Sequence, residues 1–136
     1  MRVVLDTNVL ASALLSPGGA PAALLQLVLA GRIVLCFDAR IMTEYREVLR
    51  RPKFDFDARL VDDLLEFLES EGELVGAVPL PLSLPDPDDA MFLEVASAGG
   101  AEYVVTGNIR HFPTDVRQGI AVVSPRDFIE IVIGEQ

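Results

Sequence analysis

Short apolar runs alternate with longer amphipathic segments along almost the whole chain, and this alternation allows few folds. The apolar runs are rich in Val, Ile and Leu without polar alternation, which is typical of strands buried on both faces of a sheet. The segments between them carry apolar residues spaced by three and four, as helices that cover a sheet do. We therefore expect an α/β fold with three layers, α/β/α, and a central, mostly parallel sheet of about five strands.

The boundaries of these elements follow from turn and capping residues. The predicted strands are residues 3–5, 33–37, 74–80, 103–106 and 120–123. The predicted helices are residues 9–15, 21–30, 39–51, 58–70, 86–98 and 125–133. Asp38 and Asp57 are placed to cap the helices that follow them. For the helix after Asp57, the predicted inner face consists of Leu60, Leu64, Phe67 and Leu68.

Length and composition indicate one ordinary domain over residues 1–136, with 51% hydrophobic and 24% charged residues. No apolar run approaches the roughly 18–20 residues that cross a bilayer, so we expect no membrane association. Met1 to Asp6 lacks the long apolar region and cleavage signal of a secretory leader. Cys36 is the only cysteine and is expected to be a small buried hydrophobe. A cytoplasmic location is the default expectation.

The net charge of −10 argues against a general nucleic-acid-binding surface, because phosphate binding normally needs basic residues. Two explanations stay open. The acids are partly gathered in one pocket where divalent cations reverse the local charge, or the protein does not meet nucleic acid at all.

Asp6 stands directly after the first predicted strand, and Asn8 follows two residues later. Ligands of open α/β sheets bind outside the carboxyl ends of the strands, so Asp6 is a candidate site residue. The alternative is a helix cap, a role in which Asp is common. Because Asn8 could cap equally well, this pair offers more polar groups than one cap needs.

Glu44 lies beside the buried stripe of its helix, three residues after Ile41 and four before Val48. A carboxylate in that position costs several kcal/mol unless it is paired or binds a cation. The alternative is an ion pair at the rim of the core, for instance with Arg40.

The segment Asp86-Pro87-Asp88-Asp89 opens a helix, and acids in a first helical turn also simply complement the helix dipole. Asp89, however, aligns with Phe92, Leu93 and Ala96 at helical spacing and is therefore expected to point inward. Carboxylates that converge at one sheet edge are tolerated only with bound cations or raised pKa values. Oxygen ligands of this kind select magnesium or manganese.

Thr106-Gly107-Asn108 ends the fourth apolar strand. The hydroxyl of Thr106 and the amide of Asn108 are placed to hydrogen-bond a water or a phosphate, although Gly and Asn are also ordinary turn residues. His111 has no second histidine and no nearby cysteine as a partner, so we expect no metal-binding role for it.

Several stretches together resemble the PIN-domain family. They are residues 3–10 (Val-Val-Leu-Asp-Thr-Asn-Val-Leu), 89–93 (Asp-Ala-Met-Phe-Leu) and 103–108 (Tyr-Val-Val-Thr-Gly-Asn). Residues 110–113 (Arg-His-Phe-Pro) and 124–128 (Ser-Pro-Arg-Asp-Phe) are similar to a subgroup assigned as toxins of VapBC-like toxin–antitoxin systems. The resemblance spans essentially the whole chain in order and spacing.

This resemblance implies a ribonuclease that hydrolyses RNA phosphodiester bonds with a carboxylate cluster holding Mg²⁺ or Mn²⁺. It implies that Asp6, Glu44 and Asp89 are the first, second and third acids of the cluster, with Asp86 or Asp88 as a further contributor. Members of this kind often form homodimers and are inhibited by an antitoxin protein. Where many members carry a fourth acid, this chain has Asn108, which puts a second metal and full activity in question.

Basic residues suited to guiding RNA cluster at the end of the third predicted helix and after the fourth strand. They are Arg46, Arg50, Arg51, Lys53, Arg110 and Arg117. The alternative is that they are solvated helix ends and rim ion pairs of little energetic weight.

Two rival functions were weighed. A haloacid-dehalogenase-type phosphatase also uses an Asp after the first strand, but it needs a second Asp where Asn8 stands and a lysine, of which Lys53 is the only one. The other rival is a PIN fold that has lost catalysis and serves as a binding module for RNA or protein, which Asn108 and the acidic net charge favour.

Overall fold

Five strands form one sheet in a computed structural model of the chain, which describes residues 1–134. They are β1 (Arg2–Leu5), β2 (Val34–Phe37), β3 (Glu73–Leu74), β4 (Tyr103–Val105) and β5 (Ala121–Val123). Their spatial order is β3-β2-β1-β4-β5, and all four pairings are parallel. The expected parallel sheet is confirmed, and β1 lies at its centre.

Six α-helices within the same residues connect and cover these strands. They are α1 (Thr7–Leu15), α2 (Ala20–Leu29), α3 (Ala39–Leu49), α4 (Ala58–Glu71), α5 (Ala90–Gly99) and α6 (Pro125–Gly134). The carboxylate of Asp38 accepts a hydrogen bond from the Ile41 N–H at 3.0 Å, and that of Asp57 accepts one from the Arg59 N–H at 2.8 Å. Both acids therefore cap their helices as expected.

The core explains why the central strands are apolar without alternation. Val3, Val4 and Leu5 of β1 and Val104 and Val105 of β4 are all fully buried. Helix α5 packs on β1, β2 and β4, while α2 packs on α1 and α6. Because helices cover both faces of the sheet, the three-layer α/β/α architecture is confirmed.

Two details of the expected elements are wrong. The strand expected at residues 74–80 is only the two residues of β3, and the following proline-rich segment to residue 86 has no helix or strand, since proline cannot donate to a strand ladder. On α4 the buried positions are Val61, Leu64, Leu65 and Leu68. Leu60 is 53% exposed, because the inner stripe of this helix runs one residue later than expected.

No single helix in residues 1–134 is long and apolar enough to cross a membrane; α1 and α2 reach the length only as a pair bent by 103°.

Candidate active site

The carboxyl ends of β1 and β4 place Asp6 beside Thr106. These strands are neighbours with Leu5 opposite Val105, so the residues that follow them meet at the same sheet edge. The Asp6 side chain is 5% exposed, and its Oδ2 accepts a hydrogen bond of 2.7 Å from the buried Thr106 hydroxyl. Burial raises the pKa of Asp6, and the hydrogen bond from Thr106 partly offsets this effect.

Asp6 precedes α1, but its carboxylate forms no capping hydrogen bond with that helix. The nearby amides of Asn8 and Thr7 only moderate the rise in its pKa. The side chain of Asp6 is therefore directed to the sheet edge more than to the helix. The side chain of Asn8 is exposed, and its backbone N–H is the only part of it that acts on Asp6.

Glu44 reaches the same region from α3. Its Oε2 accepts a hydrogen bond from the Thr7 hydroxyl, one residue after Asp6. Burial is the largest cause of its raised pKa, and the negative charges of Asp6, Asp88 and Glu47 raise it further. The alternative partner, Arg40, is not used, since Arg40 pairs with other acids.

Asp89 completes the group from the other side. It ends a short 3-10 turn, Pro87–Asp89, and is 9% exposed, so the expected inward orientation is present. Burial, followed by the charges of Asp6 and Asp86, raises its pKa to about 6, while His111 opposes this shift. Asp86 is exposed and caps the turn through the Asp88 N–H at 3.0 Å.

The structure thus brings Asp6, Glu44 and Asp89 close enough together for the charge of Asp6 to raise the pKa of both others. Among residues 1–134, none of the three forms an ion pair with arginine or lysine. The Asp89 carboxylate contacts only the ring of His111, at 3.1 Å. Such a group of like charges is unfavourable by itself and attracts a cation.

His111 was given no role in the sequence analysis, yet its ring lies inside this site. Its Nδ1 is 3.1 Å from Asp89 Oδ2, and its Nε2 is 2.9 Å from Asn108 Nδ2. The N–H of Asn108 in turn donates to the Thr106 hydroxyl at 3.0 Å. The one sequence signal that could have indicated this contact was the spacing of Asn108 and His111 in the loop that leaves the sheet edge.

An ion triad next to the site, formed by the buried acids Asp38 and Glu94 and the half-exposed Arg40, was also missed. Glu94 on α5 is 5% exposed, and it binds Arg40 at 2.8 Å, while Arg40 also binds Asp38 at 2.7 Å. The second oxygen of Glu94 accepts the Leu80 N–H at 2.8 Å. The signal in the sequence was an acid inside an otherwise apolar helix.

An open cleft of about 730 Å³ lies between α3 and the start of α5. Glu44, Asp88, Thr43 and Met91 line it, with Arg40 at one side. Of the three acids Asp6, Glu44 and Asp89, Glu44 alone lines this cleft.

Half of the six basic residues suggested for RNA binding are engaged with acids. Arg46 binds Glu69 on α4, Arg50 binds Asp62, and Arg51 lies 3.8 Å from Glu47. Lys53 stacks over the ring of Phe54, and Arg117 donates to the Phe112 carbonyl. Arg110 is exposed, two residues after Asn108. A role in RNA binding stays a prediction for all of them.

As the side chains stand, the part of the chain described by the structure contains no group of three His, Cys, Asp or Glu residues arranged to hold a metal ion. Glu44 is turned to Thr7, Asp6 to Thr106 and Asp89 to His111. The donor chemistry nevertheless fits a hard divalent cation, because the three carboxylates supply oxygen ligands and the charge of Asp6 raises the pKa of both Glu44 and Asp89.

Comparisons with known proteins show the family and the fold. A family model described as PIN domain matches residues 2–110. Among solved structures, the chain is similar to the crystal structure of VapBC2 from Rickettsia felis bound to a DNA fragment from their promoter. The TM-score is 0.60 with 16% identity, over 91% of this chain and 98% of that one, a likeness of fold. No curated protein sequence matches.

Proposed function

The chain belongs to the PIN-domain family, and from this premise we propose that it is an endoribonuclease dependent on Mg²⁺ or Mn²⁺. We further propose that Asp6, Glu44 and Asp89 form its active site. The observation that carries the proposal is the meeting of these three acids, from three separate elements, at the carboxyl edge of the sheet with no arginine or lysine partner among residues 1–134. A purely structural cluster would be expected to contain arginine or lysine.

In this proposal Asp6 and Asp89 hold the cation, Glu44 contributes from α3, and Asp86 is a candidate fourth ligand. A bound Mg²⁺ or Mn²⁺ would make a water nucleophilic near neutral pH and neutralise charge on the phosphate. Cation binding would draw the carboxylates together from their present partners and relieve the repulsion that raises their pKa values.

Two threonine hydroxyls orient the carboxylates of the proposed active site. The Thr106 hydroxyl restricts the Asp6 carboxylate, and the Thr7 hydroxyl restricts Glu44. Such hydrogen bonds to ligands support metal binding in other proteins. Glu44 also lines the open cleft, so it can orient a water or accept its proton on the solvent side.

RNA is the proposed substrate, and Arg110 is the basic residue best placed to meet it. It is exposed and lies between Asn108 and His111 in the loop after β4, whereas Arg46 and Arg50 have acidic partners on α4. Exposed pairs of this kind are weak, so they can yield to phosphate.

We also propose a role as the toxin of a toxin–antitoxin pair, with a protein antitoxin, a homodimeric state and a cytoplasmic location. The similarity in fold to a structure of VapBC2 supports the role as a toxin. The motifs of residues 110–113 and 124–128 support it as well.

A catalytically impaired binding module is the second candidate. Asn108 stands where an acid is frequent in the family, and the acids are not preassembled into a ligand set in residues 1–134. Metal titration separates the two candidates. A nuclease gains thermal stability from manganese by mass action, whereas a pure scaffold does not.

The test uses Asp6→Asn and Asp89→Asn, with Asp63→Asn as the matched control on the exposed face of α4. Both site variants should abolish manganese-dependent cleavage of single-stranded RNA while their circular dichroism spectra stay native. The control should cleave like the wild type. Unchanged cleavage in both site variants would end the nuclease proposal.

A further inference from the structure

The loop after β4 places the single histidine of the chain between an amide and a carboxylate. The ring of His111 has Asn108 Nδ2 at 2.9 Å from its Nε2 and Asp89 Oδ2 at 3.1 Å from its Nδ1. Both ring nitrogens are thus engaged, and their partners have opposite hydrogen-bonding character. This arrangement determines where the ring proton lies.

The amide nitrogen of Asn108 can only donate, so Nε2 of His111 must accept. A neutral ring then carries its proton on Nδ1, where it donates to the Asp89 carboxylate. The opposite amide orientation would require a proton on Nε2, and it would turn the Nδ1 lone pair of the neutral ring towards a carboxylate. The geometry therefore selects the Nδ1–H tautomer.

Asn108 is itself held in place by the sheet edge. Its N–H donates to the Thr106 hydroxyl at 3.0 Å, and that hydroxyl donates to Asp6 at 2.7 Å. Hydrogen bonds therefore run without interruption from Asp6 through Thr106, Asn108 and His111 to Asp89. This series of hydrogen bonds connects Asp6 and Asp89, which lie on different elements.

We propose that Asn108 and His111 are a positioning pair: Asn108 holds His111 in the Nδ1–H tautomer, and the ring directs the Asp89 carboxylate into the acid group. An amide at position 108 is required, because the NH₂ group of an amide donates a hydrogen bond to Nε2. An aspartate carboxylate there would instead accept a hydrogen bond from a protonated Nε2. The role for Asp89 rests on the proposed function, whereas the tautomer does not.

The first experiment reads the tautomer in the metal-free full-length protein. Because His111 is the only histidine, the imidazole ¹⁵N resonances in a long-range ¹H–¹⁵N correlation spectrum need no assignment. At neutral pH the wild type should show a protonated Nδ1 and an unprotonated Nε2. Asn108→Asp should move the Nε2 resonance to the protonated range.

Gln118→Glu is the control, since it adds the same charge at an exposed position of the following turn. It should leave both ring resonances unchanged. A wild-type ring protonated on Nε2, or an Asn108→Asp spectrum identical to that of the wild type, would overturn the proposal.

The second experiment measures manganese affinity by calorimetry in three variants of His111. Asparagine can place an N–H near the position of Nδ1, whereas glutamine places one near Nε2 and leucine has none. His111→Leu and His111→Gln should weaken binding roughly 10–100-fold, as loss of a partner of a metal ligand does. His111→Asn should stay within a few-fold of the wild type.

Equal losses in the three variants would mean that His111 only fills space, and would overturn the positioning role. If the wild type itself binds no manganese, the proposed function fails, and the spectrum of the metal-free protein still decides whether Asn108 controls the tautomer.

Discussion

At the scale of one residue, Asp89 shows how the acid group lowers the stability of the metal-free protein. Its side chain is nearly buried, its Oδ2 lies 3.1 Å from Nδ1 of His111, and the charges of Asp6 and Asp86 act on it. Burial is the largest cause of its shift, and together these effects raise its pKa to about 6 from an ordinary 3.8. The folded metal-free protein therefore takes up a proton that the unfolded chain has already lost at the same pH.

Asp89→Asn should consequently stabilise the metal-free protein at neutral pH. In the wild type, the folded state binds more protons than the unfolded state between pH 3.8 and about 6, so the free energy of unfolding decreases as pH rises through that range. Each pKa unit corresponds to about 1.4 kcal/mol, but the charges that act on Asp89 include that of the exposed Asp86, which solvent screens, so we expect a gain of about 1 kcal/mol.

Urea denaturation of the metal-free wild type and Asp89→Asn across this pH range measures the difference, with Asp63→Asn as the control. The free energy of unfolding should depend less steeply on pH in Asp89→Asn than in the wild type, and equally steeply in Asp63→Asn. The same slope in wild type and Asp89→Asn would contradict the shifted pKa.

At the scale of the elements, Arg40 joins two helices that carry the site. The guanidinium lies between Asp38, the N-cap of α3, and Glu94 on α5, and Glu94 also holds the backbone of Leu80. Helix α3 presents Glu44, and the turn before α5 presents Asp89. The ion triad therefore sets the separation of these two acids through the packing of their helices.

Glu94→Gln should lower the free energy of unfolding by about 1–2 kcal/mol. The change removes a charge from a buried pair and leaves Arg40 with one partner, although the arginine side chain is half exposed and can be partly hydrated. Glu47→Gln, on the exposed side of the same cleft, should change stability by less than about 0.5 kcal/mol. Denaturant midpoints at constant m-value provide the measurement, and equal effects of the two changes would refute the structural role of the triad.

At the scale of the whole molecule, the chain contains 21 acidic and 11 basic residues, and its net charge is −10. The ion pairs between α3 and α4, Arg46–Glu69 and Arg50–Asp62, are about half exposed and so contribute little. Self-repulsion therefore outweighs them in the folded state.

Monovalent salt should accordingly raise the melting temperature. Screening is strong at 0.1 M, where the Debye length is about 10 Å, and a gain of about 1 kcal/mol corresponds to roughly 3–5 °C for a chain of this length. Manganese at matched ionic strength should raise the melting temperature further in the wild type and not in Asp6→Asn. A decrease with sodium chloride in calorimetric scans would show that ion pairs dominate instead.

The sequence by itself determined the layers, the parallel sheet and the edge at which the acids collect. Unbroken apolar strands must be covered on both faces, and the carboxyl ends of neighbouring parallel strands must meet, which is why Asp6 and Thr106 lie together. Periodicity along single helices likewise predicted that Glu44 and Asp89 face inward. It was less reliable where prolines interrupt the pattern, as in the segment after β3.

Only the tertiary structure decided the partners of those acids. Glu44 bonds to Thr7, 37 residues away, and not to Arg40, which instead reaches Glu94 across 54 residues. His111 meets Asp89 across 22 residues because a loop folds back over the sheet edge. Local propensity contains no information about where two helices and a loop cross, and that crossing depends on how the whole core packs.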